Sequence, residues 1–122
     1  MKKVCALLAL CGCMVVFQAQ AECTYPQAPA ALPDGKTATE AEMVEGMKAV
    51  KAYDKAVNDY LACLDNEKQS TLTSMGPDAS KEQVQQINSI HNKKYNAAVQ
   101  ELEQRAANFN EQVRAYKNRS KG

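Results

Sequence analysis

The chain has no tryptophan, two phenylalanines and a single histidine among its 122 residues. Hydrophobic residues make up 45% of it, but many of these are alanines, and after residue 21 the one phenylalanine is Phe109. With no tryptophan and, after residue 21, one phenylalanine beside five tyrosines, the chain can form thin contacts between helices but no deep core. A domain of this size then needs a covalent staple or a partner to be stable.

The chain also lacks a strong charge imbalance and, after residue 21, any long apolar run. Its formal net charge is +1, which provides no basic face for nucleic acid. No apolar run after Ala21 approaches the ~20 residues that cross a bilayer, so we expect no transmembrane segment in the mature chain. With one histidine, no phosphate-binding loop and no glycine-rich fingerprint, the sequence predicts no metal, cofactor or small-molecule substrate.

The first 21 residues are typical of an export signal. Residues 2–3 supply a positive start, residues 4–17 supply an apolar run, and Ala19 and Ala21 supply the small side chains that a signal peptidase reads. Cleavage after Ala21 gives a mature chain of 101 residues that begins at Glu22 and holds 13 basic and 14 acidic residues. The sequence therefore predicts export, to the periplasm.

A second interpretation of the same segment stays open. Residues 10–13, Leu-Cys-Gly-Cys, resemble a bacterial lipobox, in which Cys13 would carry lipid and anchor the protein to the envelope. A cysteine at the second position is unusual for that motif, and the apolar run continues beyond it to Phe17. Cleavage after Ala21 is therefore favoured.

Residues 22–38 predict an extended arm. Pro26, Pro29 and Pro33 recur among alanines, and residues 34–35, Asp-Gly, follow as a turn signal. Such a stretch favours polyproline geometry, which has no internal hydrogen bonds to hold it in place. The arm therefore needs a surface to lie against.

The first predicted helix covers about residues 39–70. Thr39 and Glu42 have the spacing of a capping box, in which each side chain satisfies a backbone amide at the start of a helix. Large apolar side chains then recur from Met43 to Leu64 mostly at steps of three, four and seven residues. This spacing gives the helix one apolar stripe, like that of a coiled coil.

The second predicted helix covers about residues 80–118. Ser80 and Gln83 form another capping-box pattern, and an apolar stripe with an average spacing near 3.6 residues follows them. A connector of about ten residues joins the two helices. The predicted fold is therefore all-α, a long antiparallel two-helix hairpin over residues 39–119 with an N-terminal extended arm.

The two cysteines that remain after cleavage at Ala21 are Cys23 and Cys63. An even pair in an exported protein predicts a disulfide, and the spacing is not that of a redox Cys-x-x-Cys motif. The arm from Cys23 to Thr39 reaches about 50 Å, whereas Thr39 and Cys63 lie about 36 Å apart along a helix. The arm can therefore run back along the hairpin and be held there by the disulfide. In the chain-entropy model the disulfide stabilises the fold by roughly 3.5 to 4 kcal/mol.

One polar cluster in the predicted hairpin carries candidate chemistry. Asp54 interrupts the apolar stripe, and pairing residue 69 with residue 80 places it level with Tyr95 and within a turn of His91. An enzyme would use Asp54 to orient His91. A polar contact that fixes the register of the hairpin is favoured instead, because the sequence supplies no nucleophile, second carboxylate or pocket. The sequence therefore predicts no catalytic residues.

Three stretches resemble small exported proteins of Gram-negative bacteria. They are the spacing of Cys23 and the prolines before Asp34-Gly35, the pair Glu42-Met43, and residues 60–64, Tyr-Leu-Ala-Cys-Leu. The resemblance covers about the first 43 residues of the mature chain. It implies export and brings no activity with it.

These features predict an exported, non-enzymatic helical protein with a binding or structural role in the cell envelope. It would act through its helix surfaces, on a protein partner or as a homodimer. Two alternatives stay open. One is a chaperone-like or envelope-stress protein that binds unfolded clients, and the other is an outer-membrane lipoprotein anchored at Cys13.

Overall fold

The computed structural model describes residues 22–119 and residue 121 of the chain. It contains two helices, α1 over Glu40–Met75 and α2 over Lys81–Arg119, which pack against each other as a hairpin. The described residues form no strand, and no helix among them is long and apolar enough to cross a membrane. The all-α hairpin is therefore confirmed, whereas the signal peptide prediction, with Ala21 and the alternative anchor Cys13, falls outside the described residues.

Both helices begin at the predicted capping boxes. The Thr39 hydroxyl accepts from the Glu42 backbone amide at 3.3 Å, and the Glu42 carboxylate accepts from the Thr39 amide at 2.6 Å. At α2, the Ser80 hydroxyl accepts from the Gln83 amide at 3.2 Å, and the Gln83 side chain accepts from the Ser80 amide at 2.9 Å. Each box satisfies backbone donors that have no partner within the helix itself.

The end of α1 lies at Met75, five residues beyond the predicted end near residue 70. The hydroxyls of Thr71, Thr73 and Ser74 each donate to the carbonyl oxygen four residues earlier at 2.8 Å. Each hydroxyl thereby finds its hydrogen-bond acceptor inside the helix, so these polar residues continue α1 instead of ending it. The helix stops at Gly76, whose φ of 71° lies in a region that side chains disfavour.

The longer α1 changes the register of the hairpin. Five residues, 76–80, connect the helices instead of about ten. Asp65 consequently faces His91, and Gly46 lies against Phe109. The predicted pairing is therefore wrong by seven residues, or about 10 Å along the helix axis.

Two hydrophobic clusters lie along the seam. The larger one contains six buried residues, with Val57 and Leu64 fully buried, and the smaller one lies nearer the start of α1, at the end of the hairpin away from the connector. Both receive side chains from the arm: Cys23 and Ala28 pack on the larger cluster, and Leu32 on the smaller. The arm is thus a third layer over the two helices. The buried members are Tyr53, Val57, Tyr60, Leu61, Leu64 and Ala98 in the larger cluster, and Ala38, Met43 and Phe109 in the smaller.

Candidate functional site

The arm lies in the groove between α1 and α2, and the disulfide holds its N-terminal end there. Cys23 and Cys63 form a disulfide, with their Cα atoms 5.8 Å apart and a sequence separation of 40. From Cys23 the arm runs down the groove to Thr39, where α1 begins. The predicted path of the arm is therefore the observed one.

The N-terminal half of the arm is held by an aromatic contact and two hydrogen bonds. The Tyr25 ring meets the Tyr60 ring edge-on, with 5.1 Å between centroids and 76° between planes. The Tyr25 hydroxyl donates to the Glu101 carboxylate at 2.6 Å, and Arg105 donates to the Pro29 carbonyl oxygen at 3.4 Å. This half of the arm is thus held by the Tyr25 side chain and by one backbone carbonyl, in addition to its apolar packing on the larger cluster.

The surroundings of Tyr25 favour its neutral hydroxyl. Two causes raise the pKa of Tyr25 well above its ordinary value. The larger is desolvation by burial, and the second is the hydrogen bond to Glu101. The Tyr53 hydroxyl also contributes to this increase, and it is itself buried with no geometrically satisfactory hydrogen-bond partner among the described residues. The carboxylate of Glu101 is therefore the acceptor that orients this end of the arm.

The C-terminal half of the arm approaches the helices more closely. The Gly35 amide donates to the Gln112 side chain at 2.9 Å, and any Cβ on Gly35 would overlap the Gln112 backbone carbonyl. A Cβ on Gly46 would lie 2.6 Å from the Pro33 ring. Arg119 completes the contact by donating to the carbonyl oxygens of Lys36 at 3.0 Å and Ala38 at 2.7 Å. Both glycines are required by close approach of backbone or ring atoms.

The groove continues beyond the point where the arm begins. Past the disulfide lies an open cleft of about 180 Å³, walled by Leu64, Ile87 and Ile90. Ile90 is 49% exposed, a high value for a large apolar side chain. Glu67 lines both this cleft and the cavity beside the disulfide, so the two are neighbours.

Charged side chains border the cleft on both helices. Lys68 lies 3.9 Å from Asp65, and Lys94 lies 3.9 Å from Glu67. These separations are too long for hydrogen bonds, and partly exposed ion pairs of this kind contribute little to stability. The cleft therefore combines an apolar interior with charged groups of both signs at its edge, two lysines and Glu67.

The predicted contact between Asp54 and His91 is wrong, because a different aspartate, Asp65, contacts His91. Asp54 is exposed, and its backbone carbonyl accepts from the Asn58 side chain at 2.8 Å. His91 is buried, and its Nε2 lies 2.8 Å from Asp65 Oδ1. The seven-residue change of register is the physical reason, because it moves the residue level with His91 from residue 58, one turn from Asp54, to Asp65. Tyr95 does stay near His91, with ring centroids 5.6 Å apart.

The pair of His91 and Asp65 has the geometry of a structural contact across the seam. It joins the two helices, and His91 Nδ1 lies 3.3 Å from the Asn92 side chain. A buried polar group with a partner on the facing helix specifies register, as in a coiled coil. Within residues 22–119, no group of three or more His, Cys, Asp or Glu side chains could hold a metal ion.

Sequence reasoning missed the strip of α2 that holds the arm. Arg105, Gln112 and Arg119 recur at steps of seven residues, which places them on one side of the helix. The spacing is visible in the sequence, but nothing there distinguishes these polar residues from those of a solvated face. Their role depends on the position of the arm, which their own spacing does not specify.

No protein-family model, curated protein or solved structure matches the chain. Function is therefore inferred from the residues and their geometry. The resemblance to small exported proteins stays a prediction.

Proposed function

We propose that the chain is exported to the periplasm, cleaved after Ala21, and acts there as a non-enzymatic binding or structural protein. The observation that carries this proposal is the disulfide between Cys23 and Cys63. Disulfides persist in oxidising compartments and are rare in the cytosol. The bridge also fixes the first residues of the proposed mature chain to the middle of the fold, so export and architecture support each other.

A binding role is supported by the shape of the helical surface. The arm fills most of the interhelical groove but leaves the cleft at Ile90 open, and Val44 and Met47 are also exposed on α1. Ile90 lines the cleft directly, and exposed apolar side chains in a cleft are typical of surfaces that take up a partner. The buried His91 is engaged by Asp65 across the seam, which supports a structural role for that pair.

Expression of the full chain in a Gram-negative host tests the export proposal. Fractionation should find the protein in the periplasm, with an intact mass equal to that of residues 22–122 less two hydrogens. Peptide mapping without reductant should find Cys23 joined to Cys63. A cytoplasmic product, or two free thiols in the exported protein, would contradict the proposal, and a lipidated chain beginning at Cys13 would replace it with the lipoprotein alternative.

A chaperone-like function is the second candidate, favoured by the exposed side chains of Val44, Met47 and Ile90. The purified mature protein should then suppress aggregation of an unfolded client in proportion to its concentration. Replacing Met47 by Glu should weaken that effect, whereas replacing the exposed Lys51 by Glu should not. No suppression at a molar excess of protein would remove this candidate.

A further inference from the structure

The open cleft beyond the disulfide is a continuation of the track on which the arm lies. On α1, Cys63 and Thr71 are separated by eight residues, or about 12 Å of helix. That length accommodates about four residues of an extended chain at ~3.1 Å per residue. The same two helices therefore offer a short further stretch of groove that no described residue covers.

The arm shows which kind of chain this groove holds. It is extended, rich in proline and alanine, and seats one aromatic ring, that of Tyr25, against Tyr60. Its backbone carbonyls accept from cationic side chains of α2, namely Arg105 and Arg119. Extended proline-containing segments suit such grooves because little conformational entropy is lost when they bind.

The cleft repeats these recognition elements. Lys94 lies eleven residues before Arg105, which is three turns of helix, so the two side chains share one side of α2. Lys94 therefore occupies the place along the cleft that Arg105 occupies along the arm. Leu64, Ile87 and Ile90 supply the apolar seat.

The size of the cleft limits what can fill it. Its volume of about 180 Å³ is close to that of an apolar cavity that takes up benzene, about 150 Å³. Pockets for drug-sized ligands and cofactors begin at roughly 300 Å³. The cleft therefore matches one large apolar side chain better than it matches a whole small molecule.

We infer that the open end of the groove binds an extended, proline-containing segment of another polypeptide, with one large apolar side chain seated between Leu64, Ile87 and Ile90. Lys94 donates to a backbone carbonyl of that segment, as Arg105 does to Pro29 of the arm. This inference rests on the proposed binding function and gives it a location and a partner chemistry.

The test uses mature protein, residues 22–122, with its disulfide intact and its methyl groups labelled for NMR. The probe is the blocked peptide Ala-Pro-Ala-Phe-Pro-Ala, and its control has alanine in place of phenylalanine. The phenylalanine peptide should cause saturable shifts at Leu64, Ile87 and Ile90, and the control should bind at least about tenfold more weakly. Equal binding of the two peptides, or shifts confined to Val44, would overturn the inference.

Two pairs of variants locate the binding. Ile90→Glu should weaken binding about tenfold or more, whereas Val44→Glu, the same change at another exposed apolar position of 38% exposure, should leave it within about twofold. Lys94→Ala should weaken it several-fold, whereas Lys93→Ala should not, because Lys93 is exposed and lies outside the lining of the cleft. Circular dichroism checks that each variant is folded, and a variant set without these differences would contradict the inference.

Sedimentation and cross-linking separate this inference from its alternatives. A dimer that dissociates in the Ile90→Glu variant would make a second copy the occupant and overturn the inference. In cells, the Ile90→Glu variant could capture a periplasmic partner as well as the unchanged protein does. That result would agree with the proposed binding function but overturn the inference, because the partner would bind at another site. A protein that is never exported would overturn the proposed function even if the peptide bound in vitro.

Discussion

The two ends of the interhelical groove differ in what covers them. From Gly35 to Cys23 the arm fills the groove and is attached by a disulfide, backbone hydrogen bonds and close glycine contacts. Beyond Cys23 the same helices leave Ile90 half exposed beside an open cleft. The comparison teaches that a two-helix hairpin has a surplus of apolar surface, which this chain covers at one end with its own N-terminal segment.

The largest expected effect comes from opening the disulfide. The double variant Cys23→Ser and Cys63→Ser should lose roughly 3.5 to 4 kcal/mol of unfolding free energy, because the unfolded chain regains the entropy of a loop of about 40 residues. Urea unfolding measures the loss. Amide exchange should increase most along the arm and at Tyr60, the regions next to the removed bridge.

Removal of the disulfide also tests whether the two ends of the groove are independent. If the arm is the only cover of its stretch of groove, the double variant should bind an apolar dye more strongly than the intact protein does. Dye binding that stays unchanged, with the arm still protected from exchange, would show that the noncovalent contacts alone hold the arm.

The next effect concerns the close approach at Gly35. Gly35→Ala should destabilise the fold by about 2 kcal/mol, because the added Cβ would overlap the Gln112 carbonyl and force the arm outward. The matched control is Lys36→Ala, which removes an exposed side chain but keeps the carbonyl that Arg119 binds. Thermal unfolding of both variants measures the difference, and equal stability would mean that the arm shifts at no cost.

Beside the open cleft, the contact between His91 and Asp65 should contribute about 1 kcal/mol or less to the unfolding free energy, because the Asp65 side chain is 57% exposed. Asp65→Ala and Asp54→Ala are matched, since both replace an exposed aspartate of α1 and gain the same helix propensity. Asp65→Ala should be the less stable of the two in urea. The opposite order would support the predicted register over the observed one.

The sequence predicted the elements of this fold better than the way they pair. Both capping boxes, the arm and the disulfide follow from local spacing and chain reach, which are properties of short segments. The register failed because Thr71, Thr73 and Ser74 indicate a connector by composition, whereas their hydroxyls bond back to the helix. One misplaced helix end then assigned His91 to the wrong aspartate.

The groove was beyond prediction for a different reason. Arg105 and Arg119 donate to backbone carbonyls of the arm. Every residue has such a carbonyl, so the sequence does not show which ones act as acceptors. The open cleft at Ile90 likewise depends on where the arm stops in space. Such features become visible once the third layer is placed on the hairpin.

The smallest effect is an alkaline loosening of the arm at Tyr25. Its pKa is raised by burial and by Glu101, so the folded state holds the proton more tightly than the unfolded chain, whose tyrosines titrate near pH 10. The stabilisation is therefore complete below about pH 10 and is lost as the pH rises above that value. The effect stays small because Tyr25 is 40% exposed.

Comparison with Tyr25→Phe isolates this effect from every other alkaline effect on the fold. Stability of the intact protein in urea should fall more steeply between about pH 9.5 and pH 11 than that of the Phe variant, and Tyr116→Phe should follow the intact protein. Parallel curves for the intact protein and Tyr25→Phe would show that the Tyr25 hydroxyl does not hold the arm. The covered end of the groove would then depend on its disulfide and glycine contacts, and the ring of Tyr25 would serve as packing alone.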